Sequence, residues 1–331
     1  MMIVILLSLE LVLSKKNKKS NNIIVNTMCI ALYVIYVFRD FSVGIDMPGY
    51  EQIYNIYTDI DFSVFDEIYM EDGYIFLMQI FNKLGFSFRG FIACFYLILL
   101  LPLRSFILRY SNDVFMSFLI FVCFQFFVFS LSGLRQTIAM GICLWAFLIA
   151  QKKGLFPFVF YSILILIALS IHRSAFIFFP AYFVIRFPLD IRLILVFVIA
   201  TIVAFIIRLP LYFYLKGLEI TEYNMSEEVS FGAAFFFLLI TTIISLLVKD
   251  NKEYNDDFNA KLYKDNKHIC FTFSSQINVL ICCLILFVVF NGSILLRIAI
   301  YYEMIFLLTL PCLLAHLPNS LRIPTKIGLS I

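Results

Sequence analysis

Residues Phe129–Trp145 read FSLSGLRQTIAMGICLW. The stretch lies in one of the most apolar parts of the chain, yet Arg135 and Gln136 stand side by side within it. Read as one continuous buried helix, it would hold a permanent charge at mid-bilayer, at a cost of roughly 2.5–3.5 kcal/mol. Read as a corner between two spans, it puts Arg135 near a membrane boundary, where that cost falls. Gly133 permits a tight backbone entry to the corner. The corner reading fixes how the remaining chain is threaded.

The composition supports a membrane setting. Of 331 residues, 63% are hydrophobic and 14% charged, and 40 are Phe. A soluble domain is nearer half apolar and a quarter charged. The apolar runs are long and continuous, unlike the alternating ten-residue strands of an outer-membrane barrel. The expected fold is therefore all-α, a polytopic integral membrane protein forming a single transmembrane domain over 1–331. The eight cysteines lie in or beside apolar runs without a CxxC pair, which favours small core residues over disulfides or zinc. The N-terminus carries its positive cluster after its apolar run, the reverse of a secretory signal.

Apolar runs recur near 2–15, 22–38, 89–108, 114–132, 134–151, 155–171, 174–187, 190–208, 231–248, 274–291 and 294–316. They predict about 10–11 transmembrane helices. Placing KKNKK (15–19) in the cytoplasm puts Arg104, Arg109, Lys152, Lys153, Arg186, Arg192, the Lys-rich 249–267, Arg322 and Lys326 on that same side. A cytoplasmic loop is expected over 249–273. The alternation holds only if Tyr74–Leu84 does not cross, so a re-entrant or interfacial helix is expected near 74–84. Lys83, Arg89 and Lys216 are exceptions to the rule.

The outer side then gathers a first extracytoplasmic region (39–88), the Ser130–Gln136 corner, SIHRSAF (170–176), an acidic loop with Glu219, Glu222, Glu227 and Glu228, and NGSILLRIAIYYE (291–303). Arg39, Arg135, Arg173 and Arg297 all fall near that boundary. A guanidinium fork suits phosphate oxygens, and several converging would form a diphosphate site. The bland alternative for each is snorkelling to headgroups. Gln136 beside Arg135 is a second polar group that snorkelling does not explain.

His172 ends an apolar run, where it could be a base or donor, or only a helix-end residue. In GIDMPGYEQIY, Asp46 is a candidate cap and Pro48 suits a first helical turn. Tyr50, Tyr54 and Tyr57 then share a face, either as a platform for sugar rings or as a membrane-interface belt. In MEDGY, Glu71 and Asp72 read as caps before Tyr74. Arg297 and Tyr301 are four apart and are expected on one helix face. No nucleotide-binding or metal motif stands in a suitable context, so neither metal nor cofactor is expected.

The ordered motifs FRDFSVGIDMPGYEQIY, EDGY, SGLRQTIAMGI, SIHRSAFIFFPAY and LLRIAIYYEMIFLLTLP resemble the EpsG family, over roughly 30–315. Those bacterial proteins belong to exopolysaccharide and O-antigen clusters and are regarded as Wzy-like polymerases. The resemblance implies a glycosyltransferase of the bacterial cytoplasmic (inner) membrane, its active site facing the periplasm or cell exterior. It would join undecaprenyl-diphosphate-linked oligosaccharide repeat units and release undecaprenyl diphosphate, without metal or cofactor. Carried onto this chain, Arg135 and Arg297 would bind diphosphate, with Arg39 and Arg173 in support, and the base would be His172 or Asp46. Tyr50, Asp72, Gln136 and Tyr301 would contact sugar or order the arginines. Implied partners are the lipid-linked oligosaccharide, membrane lipids, and a chain-length regulator and flippase of the same pathway, with no nucleic acid.

Two rivals stand beside this. A lipid-linked oligosaccharide flippase should carry basic residues deep in several spans, and few are seen. A membrane O-acyltransferase also uses a membrane histidine, but IHRSAF lacks the acidic partner expected there. A structural or assembly subunit without catalysis is a further alternative.

Overall fold

Every described element is a helix, in a computed structural model that describes residues 18–56, 70–217, 232–248, 272–290 and 294–315. The apolar runs explain this, because a backbone surrounded by hydrocarbon must satisfy its N–H and C=O groups within its own segment. The first run (2–15), Tyr57, the acidic loop and most of the 249–273 loop lie outside the described residues.

The described chain forms two compact units. The first takes in residues up to Ala150 together with Gly154–Phe179. Its helices are α1 (Lys18–Phe38), α2 (Met47–Ile56), α3 (Asp72–Lys83), α4 (Phe88–Tyr110), α5 (Val114–Cys123), α6 (Gln125–Ser132), α7 (Leu134–Ala150) and α8 (Leu155–Ile171), and a 3-10 turn (Arg173–Phe178) follows. α4 packs against both α1 and α7, and α7 against α8. Gly141 allows α7 its approach to α4, since a Cβ there would lie 2.6 Å from the Ile98 carbonyl oxygen. Small residues serve this purpose in helix packing within membranes. Arg104 on α4 donates to Asn26 of α1 at 2.7 Å.

The second unit, Gln151–Lys153 with the described residues from Pro180, holds α9 (Ala181–Val184), α10 (Ile191–Gly217), α11 (Ala233–Val248), α12 (Phe273–Val289), a 3-10 turn (Ile294–Ala299), α13 (Ile300–Glu303) and α14 (Phe306–Ala315). α12 is its hub and packs on α10, α11, α13 and α14. Its polar first turns have defined partners. Thr272 and Ser275 form a reciprocal cap. Ser275 Oγ donates to the Ile185 carbonyl at 2.7 Å, and Asn278 Nδ2 to the carbonyls of Val184 and Phe187 at 3.1 and 2.9 Å. These bonds satisfy carbonyls left open where α9 ends.

By length and composition two described helices can cross a membrane, Lys19–Phe38 and Phe88–Tyr110. The number rises to four if each of two bent pairs is one span. One pair is α5 with α6, bent by 55°; the other is Arg297–Glu303 with Phe306–Leu314, bent by 49°. The remaining apolar helices are shorter. α3 has 12 residues, so it extends about 18 Å against a hydrocarbon core of about 30 Å. That length suits a helix that does not cross.

Candidate active site

The corner anticipated at Gly133 is formed where α6 stops and α7 begins, which places Arg135 in the first turn of α7. The loop from Arg39 to Asp46 folds onto the end of α6. Gly44 makes this approach, with φ +114° and space for a Cβ only 2.2 Å from the Leu131 carbonyl oxygen. No other residue type fits such a conformation at that distance. The Asp46 N–H then donates to Ser132 Oγ at 3.3 Å. α2 starts from this anchor and delivers Tyr50, whose hydroxyl accepts from Arg135 Nε at 3.2 Å. The Arg135 guanidinium carbon lies 5.9 Å from the Tyr50 ring centre.

Glu71 is the centre of the cluster. It occupies the N-cap position of α3, but its side chain makes no capping bond. Oε2 instead pairs with Arg135 Nη1 at 2.5 Å. Oε1 accepts from His172 Nδ1 at 3.0 Å and from the Arg173 backbone N–H at 3.0 Å. The approach of α3 to α8 makes this geometry. Gly73 sits so close to the end of α8 that a Cβ would lie 2.4 Å from Ser170 Oγ. Glutamate is not a favoured N-cap residue, and its longer side chain reaches across to α7 and α8.

The charge state follows from these partners. Burial raises the Glu71 carboxyl, but the His172 hydrogen bond, the Arg135 charge and the Arg173 N–H outweigh it and hold the group at about 2. An ionised carboxylate only accepts, so His172 Nδ1 must carry the hydrogen. In the neutral ring Nε2 then keeps its lone pair. Among the described residues Nε2 has no hydrogen-bond partner. The arrangement can therefore take a proton at a defined atom, beside a guanidinium held by a carboxylate and a phenol.

The other expected residues fare differently. Arg39 is buried, and its Nη2 donates to Tyr96 Oη at 3.0 Å and to the Leu131 carbonyl at 2.8 Å. Gln136 is buried in α7. The Arg173 side chain and Asp72 are exposed, Asp72 on the first turn of α3. The Asp46 carboxylate makes no hydrogen bond among the described residues, which corrects its reading as a side-chain cap. Glu71 likewise is no cap but the acid of the cluster. Tyr50 and Tyr54 are buried at 7% and 2% exposure, so they form no open platform for sugar rings. Tyr54 donates to the Phe86 carbonyl at 2.8 Å and packs on Phe88 and Phe91.

Arg297 and Tyr301 belong to the second unit. Arg297 is exposed in a 3-10 turn, and Tyr301 is buried in α13. They lie in two kinds of helix, which corrects the expectation of one continuous helix face. The expected absence of an acidic partner for His172 is also overturned. The partner comes from 101 residues upstream, beyond the reach of a local motif. Among the described residues no group of three or more His, Cys, Asp or Glu could hold a metal ion.

A family model described as the EpsG family matches residues 22–322. The chain belongs to the EpsG family. All of the cluster lies inside the matched region, and the EpsG family is associated with polysaccharide polymerase activity. Comparison with curated proteins and with solved structures gave no match.

Proposed function

We propose that this EpsG-family protein is a Wzy-like polysaccharide polymerase. It joins oligosaccharide repeat units carried on undecaprenyl diphosphate, at the outer face of a bacterial cytoplasmic membrane crossed about 10–11 times. The observation that carries the reading is Glu71, which bridges Arg135 and His172 and leaves His172 Nε2 as an acceptor.

The reaction needs a base, anion stabilisation and positioning. The acceptor hydroxyl oxygen attacks the anomeric carbon of the donor glycan. The bond from that carbon to the diphosphate oxygen breaks, and the lipid diphosphate leaves with the electron pair. The proton of the hydroxyl passes to His172 Nε2, a step of a kind worth roughly 10²–10⁴-fold. Glu71 stabilises the imidazolium that forms and fixes the ring tautomer. Diphosphate is a good leaving group, so no strong acid is required. Guanidinium groups meet the charge that grows on its bridging oxygen. Arg135 serves here, with Tyr50 and Glu71 setting its orientation. Asp72, Gln136 and Arg173 would contact substrate. His172 takes precedence over Asp46 as base because only His172 has a partner that fixes its proton.

A second reading has one observation in its favour. A histidine–carboxylate pair would also activate a sugar hydroxyl toward an acyl donor, as a membrane O-acyltransferase requires. Family membership favours the polymerase. The test is reconstitution of the purified chain with a lipid-linked repeat unit, without nucleotide or metal. Oligomer ladders are expected from the wild type, and only single repeat units from Arg135→Ala and His172→Ala. Acylated single units from an added acyl donor, with no ladder, would replace the polymerase by the acyltransferase. Normal ladders from Arg135→Ala would remove that residue from the mechanism.

A further inference from the structure

Arg135 is held from two directions, and both start at the last turn of α6. Its own main chain enters α7 through the Gly133 corner. Its phenol partner Tyr50 comes from α2, which is anchored by Gly44 against the Leu131 carbonyl and by the Asp46 N–H on Ser132 Oγ. Residues 129–132 therefore fix where the guanidinium and the phenol meet.

A helix leaves its last four carbonyls without partners of its own. In α6 three successive ones are taken. The Phe129 carbonyl accepts from the Gly133 N–H at 3.0 Å, the Ser130 carbonyl from Tyr96 Oη at 2.8 Å, and the Leu131 carbonyl from Arg39 Nη2 at 2.8 Å. Counting hydrogens gives the directions. The single O–H of Tyr96 is spent on Ser130, so its oxygen accepts from Arg39 Nη2 at 3.0 Å. Ser130 donates its own hydrogen to the Phe127 carbonyl at 2.7 Å, so in the 2.6 Å bond between Tyr36 and Ser130 Oγ the phenol donates. The rings of Tyr36 and Tyr96 are buried and stacked, with centres 4.1 Å apart. α4 carries both ends of this arrangement. Arg89, seven residues before Tyr96 and so on the same helix face, donates to the carbonyls of Val37 and Arg39 at 2.5 and 3.2 Å. That gives one exception to the charge rule a structural use at the end of α1.

We infer that Tyr96 is a positioning residue for Arg135: by holding the Ser130 carbonyl it sets the corner from which the guanidinium meets Glu71 and Tyr50. It acts through the backbone of α6, and nothing in its sequence surroundings marks it. Its consequence for catalysis rests on the polymerase reading; its effect on the Arg135–Glu71 pair does not.

The test uses the full chain in nanodiscs. Melting temperatures are measured at pH 7 and pH 2.5 for wild type, Tyr96→Phe and Tyr54→Phe, each with and without Glu71→Gln. Tyr54→Phe is the matched control, since it also deletes a 2.8 Å phenol bond to a backbone carbonyl, that of Phe86, away from the corner. Glu71 faces Arg135 of α7, with Tyr50 beside that guanidinium, and His172 and the Arg173 N–H beyond α8. Its pairing adds stability above pH 4.5 that is lost as pH falls toward 2. A corner loosened at Ser130 weakens that pairing. Tyr96→Phe should therefore melt about 3 °C or more below wild type at pH 7, and the gap should narrow by about a quarter or more at pH 2.5. With Glu71→Gln in place the gap should be equal at the two pH values, as should that of Tyr54→Phe. In the reconstituted reaction Tyr96→Phe should form ladders about ten-fold more slowly at saturating repeat unit, and Tyr54→Phe within about two-fold of wild type. A Tyr96→Phe gap as flat as that of Tyr54→Phe would make Tyr96 a structural cap only and overturn the inference. So would a narrowing that persists without the Glu71 carboxylate. If Tyr96→Phe does not fold, Tyr36→Phe, which deletes the bond to Ser130 Oγ in the same turn, is judged by the same criteria. A pH-dependent gap in a chain that makes no ladders would sink the polymerase alone, and ladders with a flat gap would sink the positioning role alone.

Discussion

At the scale of single residues, Glu71 organises the site, and its ionisation sets the pH behaviour. A carboxyl held at about 2 in the folded chain, against an ordinary value of 4.5, contributes stability that is complete above pH 4.5. That contribution is lost as pH falls toward 2. The shift corresponds to about 3 kcal/mol. Melting temperatures of wild type and Glu71→Gln should therefore differ by a constant amount above pH 4.5 and converge below it; a gap unchanged down to pH 2.5 would show that Glu71 is not held as described. In catalysis Glu71→Gln should cost roughly 10²-fold or more in ladder formation, since the imidazolium loses its counter-charge. Asp72→Asn, one position away and exposed, should change the melting-temperature profile little.

Elements explain why those residues meet. α3 is pinned to α8 through Gly73, with no room for a methyl group between them. Gly73→Ala meets both the hydroxyl and the backbone carbonyl of Ser170, so relaxing one side chain cannot relieve it. Overpacking of this kind costs roughly 1–3 kcal/mol, and it should draw Glu71 away from His172. Gly73→Ala is expected to insert normally yet form ladders poorly, as read by glycan gels against protein amount. Much of this scale was legible beforehand. The limits of α1, α4, α7, α8, α11 and α12 follow the apolar runs within a few residues, because hydropathy alone decides them. The corner at Gly133 was legible from Arg135. The pairing of Glu71 with His172 was not, because nothing local to MEDGY or SIHRSAF records a contact across 101 residues. A clue lay in the choice of Glu over Asp at an N-cap position, where the shorter side chain would be the better cap.

For the molecule as a whole, the α7–α8 hairpin carries the geography. Arg135 opens α7 and His172 follows α8, and one carboxylate binds both, so they share an end of the hairpin. Lys152 and Lys153 lie in the turn between the helices, about 25 Å away along the 17 residues of α7. On the proposed topology, Arg135 and His172 face the outer side and the two lysines the cytoplasm. A membrane-impermeant maleimide applied to intact cells should label Arg173→Cys, in a chain otherwise free of cysteine, and should reach Lys153→Cys only after permeabilisation. Equal labelling of both without permeabilisation would contradict a hairpin that crosses the membrane.

The reach of the Glu71 bridge also bears on synthesis. The acid leaves the ribosome about a hundred residues before its imidazole partner, and α4 to α8 must all be in place before the two can touch. On the proposed reading, a chain stalled anywhere in that interval lacks the base that Glu71 holds and would not consume lipid carrier. Assembly of the Glu71–His172 pair is thus tied to completion of the first unit, and on that reading a truncated product would be inert rather than wasteful.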